Sequence, residues 1–265
     1  MCRIEGSTHK ELTIVDYSSI FELRAASYAE ASERFHRVRE QELLCFAELL
    51  CVRPDERVLD VPAGTGLARD YLPSDSTYVA LDPNPEFAMR CKKHSCQIVQ
   101  TSIRQAGFRT GVLDVIGSLT GLHHEARRYE IDSEWFRMLR PGGRLVIMDV
   151  SVGTPVAEFL NEFVDQWNTA GHDGVFLDDD DVSALKDCGF EGVDVKDRIY
   201  NWSAESEQQM YLFMCSLFGL DMNPSVAAFS KALQALGVSE LNGFSVRWQL
   251  RSLCAIKPFD SVPYS

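Results

Sequence analysis

The chain predicts an α/β fold, a mostly parallel sheet with helices on both faces. Three observations carry this. From Arg57 onward, short β-branched runs alternate with helical stretches. The first run ends in a turn containing Gly64 and Gly66. Further on, Pro141-Gly142-Gly143 separates a helical segment from the buried-strand pattern Arg144-Leu145-Val146-Ile147-Met148-Asp149-Val150.

Taken in order, residues 11–52 read as two helical segments. In the second, Phe35, Val38, Leu43, Phe46 and Leu50 recur at roughly helical spacing until Pro54 closes the run. Strands are predicted at 57–61, 77–82, 97–100, 112–118 and 143–150, with helices at 66–72, 84–94 and 128–140 between them. A helix rich in aromatic and acidic residues follows at 155–170. Asp178-Asp179-Asp180-Asp181 precedes Val182, Leu185 and Cys188, as N-cap and first-turn acids precede a short helix. The competing reading is a metal site, but four consecutive side chains cannot all converge on one ion. A strand at 192–200, helices at 204–219 and 225–236, and a strand at 244–257 complete the chain. With no repeat or linker visible, residues 1–265 are expected to form one domain. Its parts are a helical cap (1–53), a core (54–150), and insertion helices with C-terminal strands (151–265).

Composition narrows the function. Of the 265 residues 45% are apolar, enough for a substantial core, and no apolar run reaches membrane-spanning length. The first residues lack an apolar signal segment, so a cytoplasmic protein without membrane partners is expected. The eight cysteines fit reduced thiols; Cys91 and Cys96 are close in sequence, but no second pair completes a zinc pattern, and no metal is expected. A formal charge of −13 argues against a nucleic-acid partner and favours a small-molecule substrate.

The stretch Arg57-Val58-Leu59-Asp60-Val61-Pro62-Ala63-Gly64-Thr65-Gly66 carries the chemistry. Strand, glycine turn and helix hold nucleotide-sized cofactors, because glycine lets the backbone approach a ligand closely. A dinucleotide site would place a small residue where Arg69 stands. Asp60 would repel a pyrophosphate but attract an ammonium or sulfonium, and Asp82 at the second strand's tip can take both hydroxyls of a ribose. Together these favour a cofactor with a ribose and a cationic end but no phosphate.

These motifs resemble the class I S-adenosylmethionine-dependent methyltransferases, in particular the small-molecule group with a methyltransferase-type-11-like core. Asp60–Gly66 resembles the first family motif, and Leu81-Asp82-Pro83-Asn84-Pro85 the ribose-binding acid and its turn. Asp114–His124 resembles the fourth strand with its histidine-bearing end, and Leu139-Arg140-Pro141-Gly142-Gly143 the turn near the fifth. The resemblance implies a Rossmann-like seven-stranded sheet, an N-terminal helical cap and a helical insertion after the fifth strand. It implies S-adenosylmethionine as cofactor, its methionine portion held by Asp60, Pro62, Ala63, Gly64 and Gly66. Asp82 with Pro83 would take the ribose, and Ser102, Ile103 and Ser118 would complete the cofactor site. Many relatives carry an acid where Ser102 stands; serine keeps a hydrogen bond but not the charge.

For the chemistry, His124, His123 and Tyr17 are the candidate catalytic groups, with Glu125 as an orienting acid or a helix-start acid. Tyr28, Phe163 and Trp167 are the candidate acceptor pocket, with Phe159, His172, Trp202 and Tyr211 as further candidates. The apolar segment Tyr211–Phe218 reads as a buried helix or a homodimer surface. The expected function is methyl transfer to a small-molecule acceptor in metabolite or natural-product biosynthesis. Two alternatives share the motifs: non-methylating cofactor chemistry (cyclisation, elimination or decarboxylation) releasing methylthioadenosine, and a non-catalytic cofactor-binding protein.

Overall fold

The structure, a computed structural model, describes residues 17–93, 96–241 and 243–259. The predicted helical onset at 11–16 lies outside them. Helices α1 (Tyr17–Arg34) and α2 (Glu40–Leu50) lead into β1 (Arg57–Asp60), β2 (Thr77–Leu81), α3 (Pro85–Lys93), β3 (Gln97–Val99) and β4 (Leu113–Leu119). The order continues with α4 (Arg128–Met138), β5 (Leu139–Asp149), α5 (Pro155–Glu158), α6 (Asp165–Trp167), α7 (Asp179–Asp187) and β6 (Glu191–Ala204). Last come α8 (Glu207–Phe218), α9 (Val226–Leu236), β7 (Val238–Ser239) and β8 (Phe244–Ile256).

The sheet has eight strands in the order β3-β2-β1-β4-β5-β8-β6, with β7 paired on β8. Strands β1 to β5 run parallel, and β8 is antiparallel to both β5 and β6. The sequence predicts seven; the eighth, β7, has two residues, too few for any alternation to be read. Chain order reverses direction between β1 and β4, so their carboxyl ends flank the crevice where such sheets take ligands.

Successive residues point to opposite faces, and both faces are covered. Val58, Val115, Val146 and Met148 meet Phe46 and Leu50 of α2 in one core; Leu59, Ile116, Leu145 and Ile147 meet Ile131 and Trp135 of α4 in the other. A Cβ at Gly117 would lie 2.6 Å from Leu50 Cδ2 and 2.7 Å from Phe46 Cζ, so glycine there seats α2 on the sheet.

Several element boundaries differ from the prediction. The helix predicted at 66–72 is a short 3-10 turn, Leu67–Tyr71. The Arg69 guanidinium folds it back by donating to the Pro73 and Ser74 carbonyls at 2.8 and 2.9 Å. Strand β5 begins at Leu139 rather than 143, because the chain stays extended through Pro141 and turns at Gly142, whose φ is +73°. The helix predicted at 155–170 is α5 and α6 joined by a π-helical segment, Phe159–Val164. The acidic run caps α7: Asp178 accepts from Asp180 N and Asp181 accepts from Asp178 N, both at 2.9 Å. Helix α8 buries Met210, Phe213, Met214 and Leu217 and packs on α1, the buried-helix alternative of the two readings. Among the described residues no helix is long and apolar enough to cross a membrane.

One buried polar knot ties α2 to β6. Glu42, fully buried, accepts from Trp202 Nε1 at 2.7 Å and from Arg39 Nε at 2.9 Å. Removing one partner of such a group strands the other in a dry interior. Glu42→Ala is therefore expected to cost about 3 kcal/mol. Thermal denaturation should show this as a fall in Tm of about 6–12 °C.

Candidate active site

The crevice begins at the tip of β1. Val61 N donates to the Gly117 carbonyl and Ala63 N to the Leu81 carbonyl, each at 2.9 Å, which pins the turn between β4 and β2. The Val61–Pro62 peptide bond is cis. Gly64 and Gly66 have φ of +54° and +78°, the left-handed region that side chains disfavour. Gly121 admits no side chain for another reason: a Cβ would lie 2.3 Å from Pro62 Cγ. The glycine turn and the histidine-bearing turn after β4 thus touch directly.

A cleft of about 680 Å³ opens here, with Asp60, Pro62, Ala63 and Gly64 on the sheet side and Tyr17 and Tyr28 on the α1 side. Asp60 is buried, and its only hydrogen bond among the described residues comes from Tyr78 Oη at 2.5 Å. Burial pushes its carboxyl up to about 7, with the Tyr78 bond opposing. Asp82 is also buried, and accepts from Asn84 N, Gly64 N and Tyr17 Oη, each at 2.9 Å. Burial raises it to about 7 as well, against those donors. Asp60, buried and met by a single phenol, lines the cleft and suits a cationic ligand such as S-adenosylmethionine with its sulfonium and ammonium; Asp82 lies behind Tyr17 and Gly64, and neither it nor Gly66 lines the cleft.

Helix α1 covers Asp82. Tyr17 sits on Asp82, Asn84 Nδ2 donates to the Phe21 carbonyl at 2.8 Å, and Phe21 packs edge-on against Phe87 at 5.2 Å. Glu125 accepts from Tyr17 N at 3.3 Å and pairs with Arg104, so it braces the start of α1. Of the other predicted cofactor residues, Pro83 sits in the turn after Asp82, while Ile103 is buried in the α4-side core. Ser118 is buried with no partner for its Oγ among the described residues. Ser102 lies on an outer groove, where its Oγ accepts from Arg104 N at 3.2 Å. None of these four lines the cleft.

A second cavity, about 490 Å³, adjoins the first and shares Phe21, Tyr28, Arg39 and Thr120 with it. Three buried histidines, His123, His124 and His172, line it. His123 Nδ1 lies 2.7 Å from Asp149 Oδ1. The same carboxylate accepts from Leu122 N, His123 N and Val150 N. Burial alone would raise Asp149; His123 and the backbone donors bring it below the usual carboxylate range. His172 Nδ1 lies 2.8 Å from Asn161 Oδ1. Burial lowers His172 to about 3 and holds His124 well below the usual imidazole range, with the neighbouring rings acting the same way. Both are therefore neutral.

Trp202 lines this cavity as nominated, but Phe163 and Trp167 do not; they flank an outer groove beside α9. The π segment explains the difference, because its wider turn shifts the helical face away from a 3.6-residue count. Leu160, not Phe163, faces the histidines, while Tyr211 Oη donates to the Pro224 carbonyl at 2.9 Å instead. Sequence reasoning missed Arg24, Arg39, Phe218, Trp248 and Asp149. Asp149 had a signal: like Asp60 it is the last residue of a parallel strand, and Asp82 directly follows another.

Comparison with known proteins agrees with this geometry. Residues 59–147 match the methyltransferase domain family. The chain is 25% identical over 184 residues to an arsenite methyltransferase of Halobacterium salinarum, covering 62% of this chain and 46% of that protein. It spans about half the length of the curated relatives it matches. Among solved structures, phosphoethanolamine N-methyltransferase 2 of Haemonchus contortus, bound to phosphomonomethylethanolamine and S-adenosylhomocysteine, superposes with a TM-score of 0.63. It is 14% identical, over 93% of this chain and 60% of that one. A [4+2]-cyclase superposes at 0.53 with 19% identity, over 83% and 80% of the two chains. At such identities the structures show a shared fold. Residues 59–147 thus resemble a methyltransferase domain, and S-adenosylmethionine is the cofactor that this likeness and the neighbours bound to S-adenosyl compounds support.

Two measurements test the cleft. Asp82→Ala should weaken S-adenosylmethionine binding by about 1.5–3 kcal/mol per lost hydrogen bond, whereas Tyr17→Phe, which frees Asp82, should tighten it severalfold in calorimetry. The second test is pH. With folded-state values near 7, both carboxyls bind protons that the unfolded chain has already released. The stability they contribute without ligand is full at acid pH and is lost as pH rises through 7. A cationic ligand needs the ionised forms, so its affinity should climb between about pH 6 and pH 8. Asp60→Asn should flatten that climb.

Proposed function

We propose that this protein transfers the methyl group of S-adenosylmethionine to a small, partly anionic acceptor held in the histidine-lined cavity. The observation that carries the reading is the shared wall of the two cavities, formed by Phe21, Tyr28, Arg39 and Thr120. Because the two cavities share this wall, a group seated in one can approach a group seated in the other. S-adenosylmethionine, when bound, supplies a methyl group on a sulfonium.

The chain's own residues do the rest. Asp60 and Asp82 hold the cationic and ribose portions, and the Gly64 turn lets them approach the backbone. Trp202, Trp248 and Phe218 supply apolar walls that exclude water from the acceptor cavity. Alignment and water exclusion are the main contributions an enzyme makes to an in-line displacement. Arg24 gives the cavity its anionic preference: it lines the pocket, donates to the Leu217 carbonyl at 3.2 Å, and keeps its Nε without a partner among the described residues. Burial lowers Arg24 to about 10, so it stays charged at neutral pH. The imidazole lone pairs beside it accept a hydrogen bond from an O–H or N–H of the acceptor, and then its proton. His123 is the best oriented, since Asp149 accepts its Nδ1–H and leaves Nε2 free.

The acidic chain suits neither nucleic acid nor a membrane surface, which leaves a small-molecule acceptor as the favoured class. His123→Ala is expected to lower turnover about 100-fold or more while leaving S-adenosylmethionine affinity intact. The product decides between chemistries. S-adenosylhomocysteine with a methylated acceptor supports transfer, and methylthioadenosine without one overturns it. No binding of either S-adenosyl compound in calorimetry would leave a non-catalytic protein.

A further inference from the structure

We propose that His123, His124 and His172 form a binding site for one divalent transition-metal ion, with an open coordination position facing the acceptor cavity. One ligand nitrogen from each ring lies within 4.8 Å of the other two. An ion bound at about 2.0–2.1 Å to three tetrahedrally placed nitrogens needs them about 3.4 Å apart, so each ring must swing by less than about 1 Å.

The tautomers are set by hydrogen bonds. Asp149 is a carboxylate and only accepts, so His123 donates its Nδ1–H and turns the Nε2 lone pair outward. Asn161 is clamped at both ends of its amide. Its Oδ1 accepts from Gly174 N at 2.9 Å and its Nδ2 donates to the Gly174 carbonyl at 3.0 Å. Its orientation is therefore fixed, and His172 must donate Nδ1–H to Oδ1, which leaves Nε2 as a second lone pair. No group among the described residues hydrogen-bonds the ring nitrogens of His124, whose centroid lies 4.0 Å from that of His123 and 5.4 Å from that of His172. With both Nδ1 atoms committed, the lone pairs of His123 and His172 sit on Nε2, beside a third imidazole with no hydrogen-bond partner among the described residues, and such a group suits a cation.

The surroundings are those of a metal site. A ligating histidine characteristically gives its other N–H to a carboxylate or carbonyl oxygen, and both fixed rings do so. Their backbones are held too: Asp149 accepts from His123 N at 3.2 Å, and Asp165 from His172 N at 2.8 Å. Three neutral imidazoles select zinc, cobalt or iron(II) over magnesium or calcium. The opposing charge is Arg24, which faces the same cavity, so the ion would be taken together with an anionic oxygen of the acceptor bridging the two. With the ion bound, His123 Nε2 is a ligand and no longer available as a base; that use of the open position rests on the transferase reading, and metal binding itself does not.

The full chain, stripped with chelator and free of S-adenosyl compounds, is titrated with Co²⁺. One equivalent should bind and give the visible d–d absorption of a four-coordinate ion, and Zn²⁺ should displace it and raise Tm. His172→Ala should abolish the band. Asn161→Ala, which keeps all three ligands but frees one ring, should weaken Co²⁺ about 10- to 100-fold. If His172→Ala does not fold by circular dichroism, Asn161→Ala alone decides. No saturable band, a band that survives His172→Ala at full strength, or an unchanged affinity in Asn161→Ala overturns the site. S-adenosylhomocysteine binding is measured on the same samples, so loss of the cofactor reading and loss of the metal site are seen separately.

Discussion

Three aspartates at one edge of a parallel sheet set the terms for this molecule. Asp60 and Asp149 end β1 and β5, and Asp82 follows β2 directly; all are buried. A buried carboxylate is tolerated only where donors or cations meet it, and each is met differently. Asp149 receives backbone N–H groups and an imidazole and stays ionised. Asp82 receives two backbone donors and a phenol. Asp60 receives a single phenol. Satisfaction falls from Asp149 through Asp82 to Asp60, which lies between the other two across the sheet, and the demand for an external cation is greatest at Asp60.

Helix α1 belongs to the same arrangement. Its Tyr17 hydroxyl gives Asp82 a hydrogen bond of the kind a ribose hydroxyl would give, and its Phe21 and Tyr28 wall both cavities. The helix covers the cleft and, in the proposed binding mode, competes with a ribose for Asp82. Cofactor entry therefore exchanges one hydroxyl for another at Asp82, and the apolar contacts of Phe21 with Phe87 set how firmly the cover closes.

Much of the cofactor side was legible in the sequence because it is local. Asp60, Gly64 and Gly66 lie within seven residues, and Asp82 directly follows the next strand, so strand alternation alone brings them together. The acceptor side is assembled from distant pieces. His172 is held near His123 by Asn161, on a π segment, and by Asp165, and no periodicity announces a π turn. That segment also turned Phe163 and Trp167 to an outer groove. Arg39 looked like one more helix charge, although it binds Tyr28, Glu42 and Thr120 between the two cavities. The helix expected at 66–72 failed for a chemical reason: Arg69 finds three acceptors in the loop behind it, which closes the turn early.

The contact of Pro62 with Gly121 reaches beyond this pocket. Because the proline ring fills the space a side chain at 121 would need, the loop that grips the methyl donor and the loop that presents the histidines have one shape between them. Chimaeras that import either loop alone from a relative would place two mismatched surfaces against each other. Only exchanges that carry both segments together leave the contact intact, so inheritance of acceptor preference in this lineage would travel as a paired block rather than residue by residue.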